Sequence, residues 1–132
     1  AVDVPDPLAH LAERGLPLTK LHGDQKPGGY PLEELAALPG VELTASNDHD
    51  FELVPAGVNK GRTLALLALM WGIPLERCAA VGDSANDLAM LRAVGCPIAM
   101  GNAAPQVQAA AARTVADNSH DGAAQAILSC LE

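Results

Sequence analysis

The chain has 132 residues, 49% of them hydrophobic, so it can bury the core of one domain and is not a disordered segment. Its formal net charge of −8 argues against nucleic acid as a partner, because binding a phosphate backbone needs clustered Lys and Arg side chains. The same charge disfavours binding to an anionic membrane surface.

The first half of the chain predicts a mixed α+β segment. Helices are predicted over residues 5–15 and 31–38, and strands over 16–22, 41–46 and 51–57. The last two strands flank the polar stretch SNDHD and predict a hairpin. The composition shifts near Pro55 to Gly57, which predicts a boundary between residues 1–56 and 57–132.

The second half alternates helices and strands. The helix over Gly61–Trp71 carries Leu64, Leu67, Ala68 and Trp71 on one face, and this spacing predicts Trp71 in the core. Short apolar strands are predicted over residues 78–82, 96–101 and 113–117, and helices over 86–94, from 105 onwards and at the end of the chain. The alternation predicts an α/β fold with a parallel sheet covered by helices on both faces.

The stretch GDSAND, Gly82 to Asp87, follows the apolar strand CAAVG and therefore lies where parallel sheets bind ligands. Gly82 frees the backbone to turn, and Asp83 and Asp87 lie on one side of the loop. Two neighbouring carboxylates repel each other unless a cation neutralises them, and Mg²⁺ is the natural occupant. The alternative is a helix cap at Asp83 with Asp87 in the first turn. A calcium loop is disfavoured, because Leu88 occupies the place of its turn glycine.

A lysine precedes this stretch at the start of a predicted helix. Lys60 lies between small residues in GVNKG. The simplest interpretation is a solvated surface lysine. An ammonium group at a helix N-terminus could also meet an anion that the helix dipole favours.

The ordered series GVNKG, GDSANDLAML, PIAMGNA and DNSHDGAAQAI resembles the carboxyl-terminal half of a haloacid dehalogenase-like hydrolase, and within that family the Cof-type phosphatases. The resemblance covers residues 41–131. It implies a Rossmann-like core over residues 57–132, preceded by part of an α+β cap domain. The activity implied is Mg²⁺-dependent hydrolysis of a small phosphorylated metabolite, such as a sugar phosphate, through an aspartyl-phosphate intermediate.

The resemblance also implies roles for particular residues. Lys60 matches the lysine that steadies the nucleophilic aspartate and the phosphate. Asp83 matches a ligand of Mg²⁺, and Asp87 its partner, which orders the waters of the metal or the lysine. Asn86 matches an amide beside the transferring phosphoryl group, and Asn102, with Gly82, supports the loop.

The nucleophile of the resembled family is missing from this sequence. The family carries an Asp-x-Asp motif after its first apolar strand, whereas the only such spacing here is Asp48-His49-Asp50, which follows a polar stretch. We therefore expect a fragment without activity of its own. Its CAAVG strand should expose an apolar edge, so that it pairs with a missing N-terminal half or a second chain, or dimerises. The alternative function is a non-catalytic module acting in binding or assembly.

The remaining features are interpreted as structural. A phospho-receiver domain is set aside, because no lysine follows Lys60. Three widely spaced cysteines predict buried free thiols, and four dispersed histidines predict surface or capping positions rather than metal ligands. Met90 and Met100 are expected to fill gaps in the core. No apolar run reaches the roughly 18 residues of a membrane span, and AVDVPDP does not resemble a signal peptide, so a cytoplasmic location is expected.

Overall fold

The computed structural model describes residues 6–15, 17, 19–24, 31–44 and 50–131. The strands are β1 Leu21–Asp24, β2 Val41–Thr44, β3 Asp50–Pro55, β4 Ala79–Gly82, β5 Cys96–Ala99 and β6 Arg113–Thr114. The helices are α1 Pro7–Glu13, α2 Leu32–Ala36, α3 Lys60–Met70, α4 Leu88–Leu91, α5 Pro105–Ala109 and α6 Gly122–Leu128. Single 3₁₀ turns occupy Leu75–Arg77 and Ala85–Asp87. The predicted α/β class is confirmed.

The first sheet is antiparallel, with the order β1-β3-β2. Its register pairs Glu52 with His22 on one side and with Thr44 on the other. The predicted hairpin between β2 and β3 is confirmed, while its loop at residues 45–49 lies outside the described residues. The predicted boundary at residues 55–57 falls between β3 and α3, and it stays a prediction.

The second sheet is parallel, with the order β4-β5-β6. Ile98 and Ala99 of β5 are both completely buried. Because neighbouring residues of a strand point to opposite faces, β5 is covered on both faces, as predicted. The core beside this sheet contains the buried Leu91 and Val107, with Met100 and Met90 packed into it, so both methionines lie where the sequence predicted.

Strand β4 lies at the edge of the parallel sheet. Among the described residues only β5 pairs with it. Its small apolar residues, Ala79 to Gly82, therefore present unpaired backbone groups along the other side. This is the exposed edge expected from the sequence, and what pairs with it stays a proposal.

Helix α3 begins as a capped helix and packs through its first turns. Asn59 accepts a hydrogen bond from the backbone N–H of Arg62 at 2.9 Å. Gly61 lies so close to α4 that a Cβ atom there would come within 2.5 Å of the carbonyl oxygen of Ala89. The prediction that Trp71 is a core residue is wrong, since 66% of it is exposed. It lies at the far end of the helix, beyond the contact with α4.

Several elements are shorter than predicted, among them α4 and β6. Helix α4 covers only Leu88–Leu91, because a 3₁₀ turn occupies the three residues before it. Strand β6 ends at Thr114, after which the carbonyl of Ala116 accepts from the N–H of Gly101 in the loop that follows β5. Helix α4 also ends at Leu91, before the predicted end at Val94.

The three cysteines are free thiols, as predicted, but they are not buried. Cys78 and Cys96 are half-buried and Cys130 is exposed, because they lie at the ends of elements rather than within them. His22 and His120 are exposed and His10 is half-buried, as expected of surface residues, while His49 lies outside the described residues. None of the helices described is long and apolar enough to cross a bilayer.

Candidate functional site

The candidate site lies at the carboxyl ends of β4 and β5. Asp83 follows the last residue of β4, and Asn102 lies in the loop after β5. Lys60, the first residue of α3, reaches the same place from a neighbouring helix and donates to Asn86 Oδ1 at 3.0 Å. The residues that the sequence singled out are therefore brought together, although 42 positions separate Lys60 from Asn102 in the chain.

Asp87 is the centre of the hydrogen-bond network. It is buried, with 3% of its surface exposed, and its Oδ1 accepts a hydrogen bond from Lys60 Nζ. Its Oδ2 accepts from the backbone N–H groups of Asp83 at 2.9 Å and Ser84 at 3.2 Å. Both carboxylate oxygens are thus engaged within the protein, one by a cation and one by the loop that it closes.

These contacts set the charge of Asp87. Burial alone raises the pKa of a carboxyl group. Here the hydrogen bond from Lys60, the backbone hydrogen bonds from Asp83 and Ser84, and the positive charge of Lys60 outweigh burial and lower the pKa of Asp87 below its ordinary value. Asp87 is therefore ionised at neutral pH and forms a charged pair with Lys60.

Asp83 differs from Asp87 in both exposure and partners. Its side chain is exposed, and its Oδ2 accepts a hydrogen bond from Asn102 Nδ2 at 3.3 Å. Asn102 Oδ1 in turn accepts from the backbone N–H of Asn118 at 3.1 Å, which links the loop after β5 to the loop before α6. The N-cap of the turn is Ser84 rather than Asp83, so the helix-cap interpretation of Asp83 is wrong.

The residues at this edge fit Mg²⁺ through one carboxylate. Mg²⁺ is bound in proteins by one or two carboxylates together with waters and substrate phosphate, and the exposed Asp83 offers such a ligand. Asp87 offers no oxygen that is not already hydrogen-bonded to Lys60 or the loop. In the part of the chain that the structure describes, no cluster of three or more His, Cys, Asp or Glu side chains could hold a metal. Direct ligation by Asp87 stays a prediction that this geometry does not favour.

Gly82 supports the loop for a reason other than the predicted turn. Its φ angle is not positive, but a Cβ atom at this position would lie 2.6 Å from Cβ and 2.9 Å from Cγ of Asp87. The missing side chain leaves the space into which Asp87 folds back. Gly82 therefore allows the carboxylate to reach the backbone N–H groups above it.

A cavity of about 960 Å³ lies beside the site. Lys60 and Asn86 line it, together with residues of the antiparallel sheet. There, Glu42 and Thr44 of β2 and Glu52 of β3 line the cavity, because Thr44 pairs with Glu52 and residues two apart on a strand share a face. The lining of the cavity thus includes a cation, Lys60, and carboxylates of the antiparallel sheet.

The sequence reasoning missed two residues that build the site. Ser84 Oγ donates to Asn86 Oδ1 at 3.0 Å and fixes the amide that meets Lys60. Asn59 caps α3 and so positions Lys60 at its first turn. Both carried a signal: Asn before an apolar helix is a cap, and Ser84 with Asp87 has capping-box spacing.

Comparison with known proteins shows which family this chain resembles. Residues 31–127 match the sequence profile of the haloacid dehalogenase-like hydrolases. The chain is 43% identical over 123 residues to the 5-amino-6-(5-phospho-D-ribitylamino)uracil phosphatase YitU of Bacillus subtilis, which covers 93% of this chain and 43% of that protein. It is 46% identical over 67 residues to the HMP-PP phosphatase of Enterobacter sp., covering 51% of this chain and 25% of that one.

Solved structures agree. A haloacid dehalogenase-like hydrolase from Bacteroides thetaiotaomicron superposes with a TM-score of 0.79 and 32% identity, over 97% of this chain and 48% of that one. The sugar phosphatase BT4131, of subclass IIB, gives a TM-score of 0.74 and 26% identity, over 84% of this chain and 42% of that one. The chain spans less than half the length of each of these relatives. The resemblance seen in the ordered motifs is confirmed, and the chain belongs to the haloacid dehalogenase-like hydrolases.

Proposed function

We propose that this chain forms the lysine-bearing and Mg²⁺-binding side of a phosphatase acting on a small phosphorylated metabolite. The observation that carries the proposal is the pairing of Lys60 with the buried, ionised Asp87 beside a large cavity, in the same loop as the exposed carboxylate of Asp83, four positions before Asp87. The relatives named as phosphatases support the same reaction class.

Lys60 would bind and orient the phosphoryl group. Its side chain is 51% exposed, so the ammonium group faces the cavity while Asp87 and Asn86 hold it in place. It lies at the first turn of α3, where the helix dipole adds to the attraction for an anion. Asp87 is buried and would not contact the substrate. It would act by positioning Lys60 and the loop.

Asp83 would contribute a ligand for Mg²⁺, with Asn102 fixing the orientation of its carboxylate. When bound, Mg²⁺ supplies positive charge that shields the phosphate oxygens. The nucleophilic aspartate would come from residues outside this sequence, and the isolated chain is expected to be inactive. The open edge of β4 is where such residues would add a strand.

The carboxylates of the antiparallel sheet restrict the rest of the substrate. Glu42 and Glu52 line the same cavity as Lys60. Glu42 accepts a hydrogen bond from the N–H of Gly57 at 3.2 Å, and Glu52 accepts one from Lys20. Carboxylates accept hydrogen bonds from hydroxyl and amino groups and repel anions. We therefore propose a leaving group rich in hydroxyl or amino groups, as in sugar or polyol monophosphates, rather than one carrying a second phosphate.

A chimaera tests this function directly. The 123-residue segment of the Bacillus subtilis phosphatase YitU that matches this chain would be replaced by this chain. Hydrolysis of p-nitrophenyl phosphate would then be measured with and without Mg²⁺. We expect activity that depends on Mg²⁺, lost by at least about a hundredfold in Asp83→Asn and Lys60→Met, because both groups act on transition-state charge. The unaltered 132-residue chain, assayed alone, should show no turnover.

The outcomes separate phosphatase from non-catalytic module. A chimaera that folds, by circular dichroism and a cooperative thermal transition, but hydrolyses nothing would favour a module for binding or assembly. An active chimaera that tolerates Asp83→Asn would show that the site is assigned to the wrong residues. For the substrate, the chimaera should hydrolyse a polyol monophosphate in preference to a sugar bisphosphate, and Glu42→Gln should narrow that preference. Equal rates for both substrates would contradict the proposed role of the carboxylates.

A further inference from the structure

Two of the three thiols converge on one arginine at the opposite end of the parallel sheet. Arg113 Nη2 lies 3.7 Å from Cys96 Sγ and 3.6 Å from Cys130 Sγ. The same nitrogen donates to the carbonyl oxygen of Ser129 at 3.3 Å. These cysteines are 34 positions apart in the sequence, and the fold brings them to one guanidinium group.

The register explains how this arrangement arises. Arg113 of β6 pairs with Ile98 of β5, so its side chain shares a face with Cys96, two residues before Ile98. Cys130 follows the last turn of α6 and bonds back to the carbonyl of Ala126 at 3.3 Å. The guanidinium of Arg113 therefore donates a hydrogen bond to the carbonyl of Ser129 at the end of α6 and lies between this helix and β5.

We propose that Cys96 and Cys130 form a peroxide-sensitive dithiol that closes to a disulfide. One guanidinium nitrogen of Arg113 contacts both sulfur atoms, at 3.7 Å and 3.6 Å, so the fold holds the two thiols beside a single side chain, where a sulfenic acid on one can be attacked by the other. Cys130 is exposed and can meet the oxidant, while Cys96 is half-buried within reach of the same nitrogen and acts as the resolving thiol.

Hydrogen peroxide is the oxidant in this reaction, which proceeds in two steps. The Cys130 thiolate attacks one peroxide oxygen, an S–O bond forms as the O–O bond breaks, and the leaving hydroxide takes a proton to become water. The Cys96 thiolate then attacks the sulfenic sulfur of Cys130, an S–S bond forms as the S–O bond breaks, and the leaving hydroxide takes up the proton that the Cys96 thiol released and becomes a second water. Two thiols are oxidised to one disulfide while one peroxide is reduced to two waters.

The disulfide would tie the end of α6 to the start of β5. Cys96 is the first residue of β5, whereas Asp83 and Asn102 follow the carboxyl ends of β4 and β5. The crosslink therefore lies at the far end of the sheet from the candidate site. Arg113 is exposed, so its side chain can move into solvent when the two sulfur atoms bond.

Cys78 provides the matched control within the same chain. Its carbonyl accepts a hydrogen bond from the Cys96 N–H at 3.1 Å, so its backbone is adjacent to Cys96. Because Ala79 is the residue paired with Cys96, the side chain of Cys78 projects from the opposite face, and its thiol bonds to the carbonyl of Pro74. Cys78 and Cys130 are thus both close to Cys96, but only Cys130 shares the contact of Cys96 with Arg113.

The test treats the reduced 132-residue chain with hydrogen peroxide under native conditions, followed by non-reducing peptide mapping. We expect a Cys96–Cys130 crosslink within one chain, with both thiols lost together at least about tenfold faster than Cys78. Cys130→Ser should abolish the crosslink, Cys78→Ser should leave it unchanged, and Arg113→Gln should slow it.

Each alternative result would overturn the proposal. A Cys78–Cys96 crosslink, equal loss of all three thiols, crosslinks only between chains, or oxidation of Cys130 to a sulfinic acid without a disulfide would each do so. The same treatment in urea should remove the selectivity, because the fold alone brings the two thiols together. Selectivity that persists in urea would show that the folded arrangement is not its cause.

Discussion

Replacing Lys60 with Met tests the central feature of the site, the pairing of a half-exposed ammonium with a buried carboxylate. Met has nearly the length of Lys but carries no charge, so the substitution removes the hydrogen bond to Asp87 and leaves the stem of the side chain in place. Asp87 keeps the two backbone N–H groups of Asp83 and Ser84. The carboxylate of Asp87 then remains buried, and these backbone hydrogen bonds offset less of the cost of its burial than they do together with Lys60.

The size of the effect follows from the exposure of the two partners. Removing one partner of a fully buried ion pair costs about 3–5 kcal/mol. Here the carboxylate side chain is 5% exposed but the lysine is 51% exposed, so water already screens one side of the pair. A charged hydrogen bond is worth about 1.5–3 kcal/mol, and we expect the loss of unfolding free energy to fall in that range.

The assay is urea unfolding followed by far-ultraviolet circular dichroism, at several pH values. The pKa of Asp87 is depressed in the folded chain, so its contribution is fully present above the unfolded pKa of about 3.9 and is lost as pH falls through the folded value. In Lys60→Met, burial of Asp87 is less opposed and its pKa rises. The stability difference between the two proteins should therefore be largest near neutral pH and shrink below about pH 4.

Lys20→Met is the matched control for this prediction. Lys20 pairs with Glu52 in the antiparallel sheet, where both the lysine and the carboxylate are more accessible than Asp87. The Glu52 side chain is 14% exposed against 5% for Asp87, so this variant should lose less unfolding free energy than Lys60→Met does. If the two variants lose equal stability, or if the loss in Lys60→Met is the same at about pH 7 and about pH 3, the Lys60–Asp87 pair does not stabilise the fold in the way described.

Two further substitutions test close approaches in the structure. Gly82→Ala would place a Cβ atom 2.6 Å from Cβ of Asp87, and we expect a loss of about 1–3 kcal/mol in unfolding free energy from the displaced carboxylate. Gly61→Ala should raise helix propensity by about 1 kcal/mol, yet the 2.5 Å approach to the carbonyl of Ala89 predicts a net loss in the same urea assay. A gain in stability from Gly61→Ala would show that α3 and α4 are packed less closely than described.

Much of the architecture could be predicted because its signals are local. Helix α3 has an apolar period and a glycine after its end, and the strands β4 and β5 are short apolar runs, so all three elements appear where the sequence places them. The ordered motifs around Lys60 and Asp83 then predict that the segment before α3 and the loop after β4 lie at the same end of the sheet. The parallel order of the sheet follows from the alternation of elements.

What the sequence could not supply depends on packing over long distances. Trp71 continues the apolar period of α3, but the helix is buried only around Gly61 and Ala68, where small residues allow close contact with its neighbours. Periodicity reports which residues share a face and says nothing about how far along the helix that face is covered. For the same reason, the meeting of Cys96 and Cys130 at Arg113 has no sequence signal, since strand register and helix placement together create it.

Of the two aspartates of GDSAND, Asp87 is buried and Asp83 is exposed, because Gly82 leaves space for the side chain of Asp87. Without a Cβ atom there, the side chain of Asp87 folds back under the loop, loses contact with water and is held ionised by Lys60 and two backbone N–H groups. Asp83, four positions earlier, projects from the end of β4 and stays exposed, with Asn102 as its partner. Like charges at this spacing would repel if both faced the cavity. Pairing the buried Asp87 with Lys60 removes the repulsion and leaves the carboxylate of Asp83 exposed.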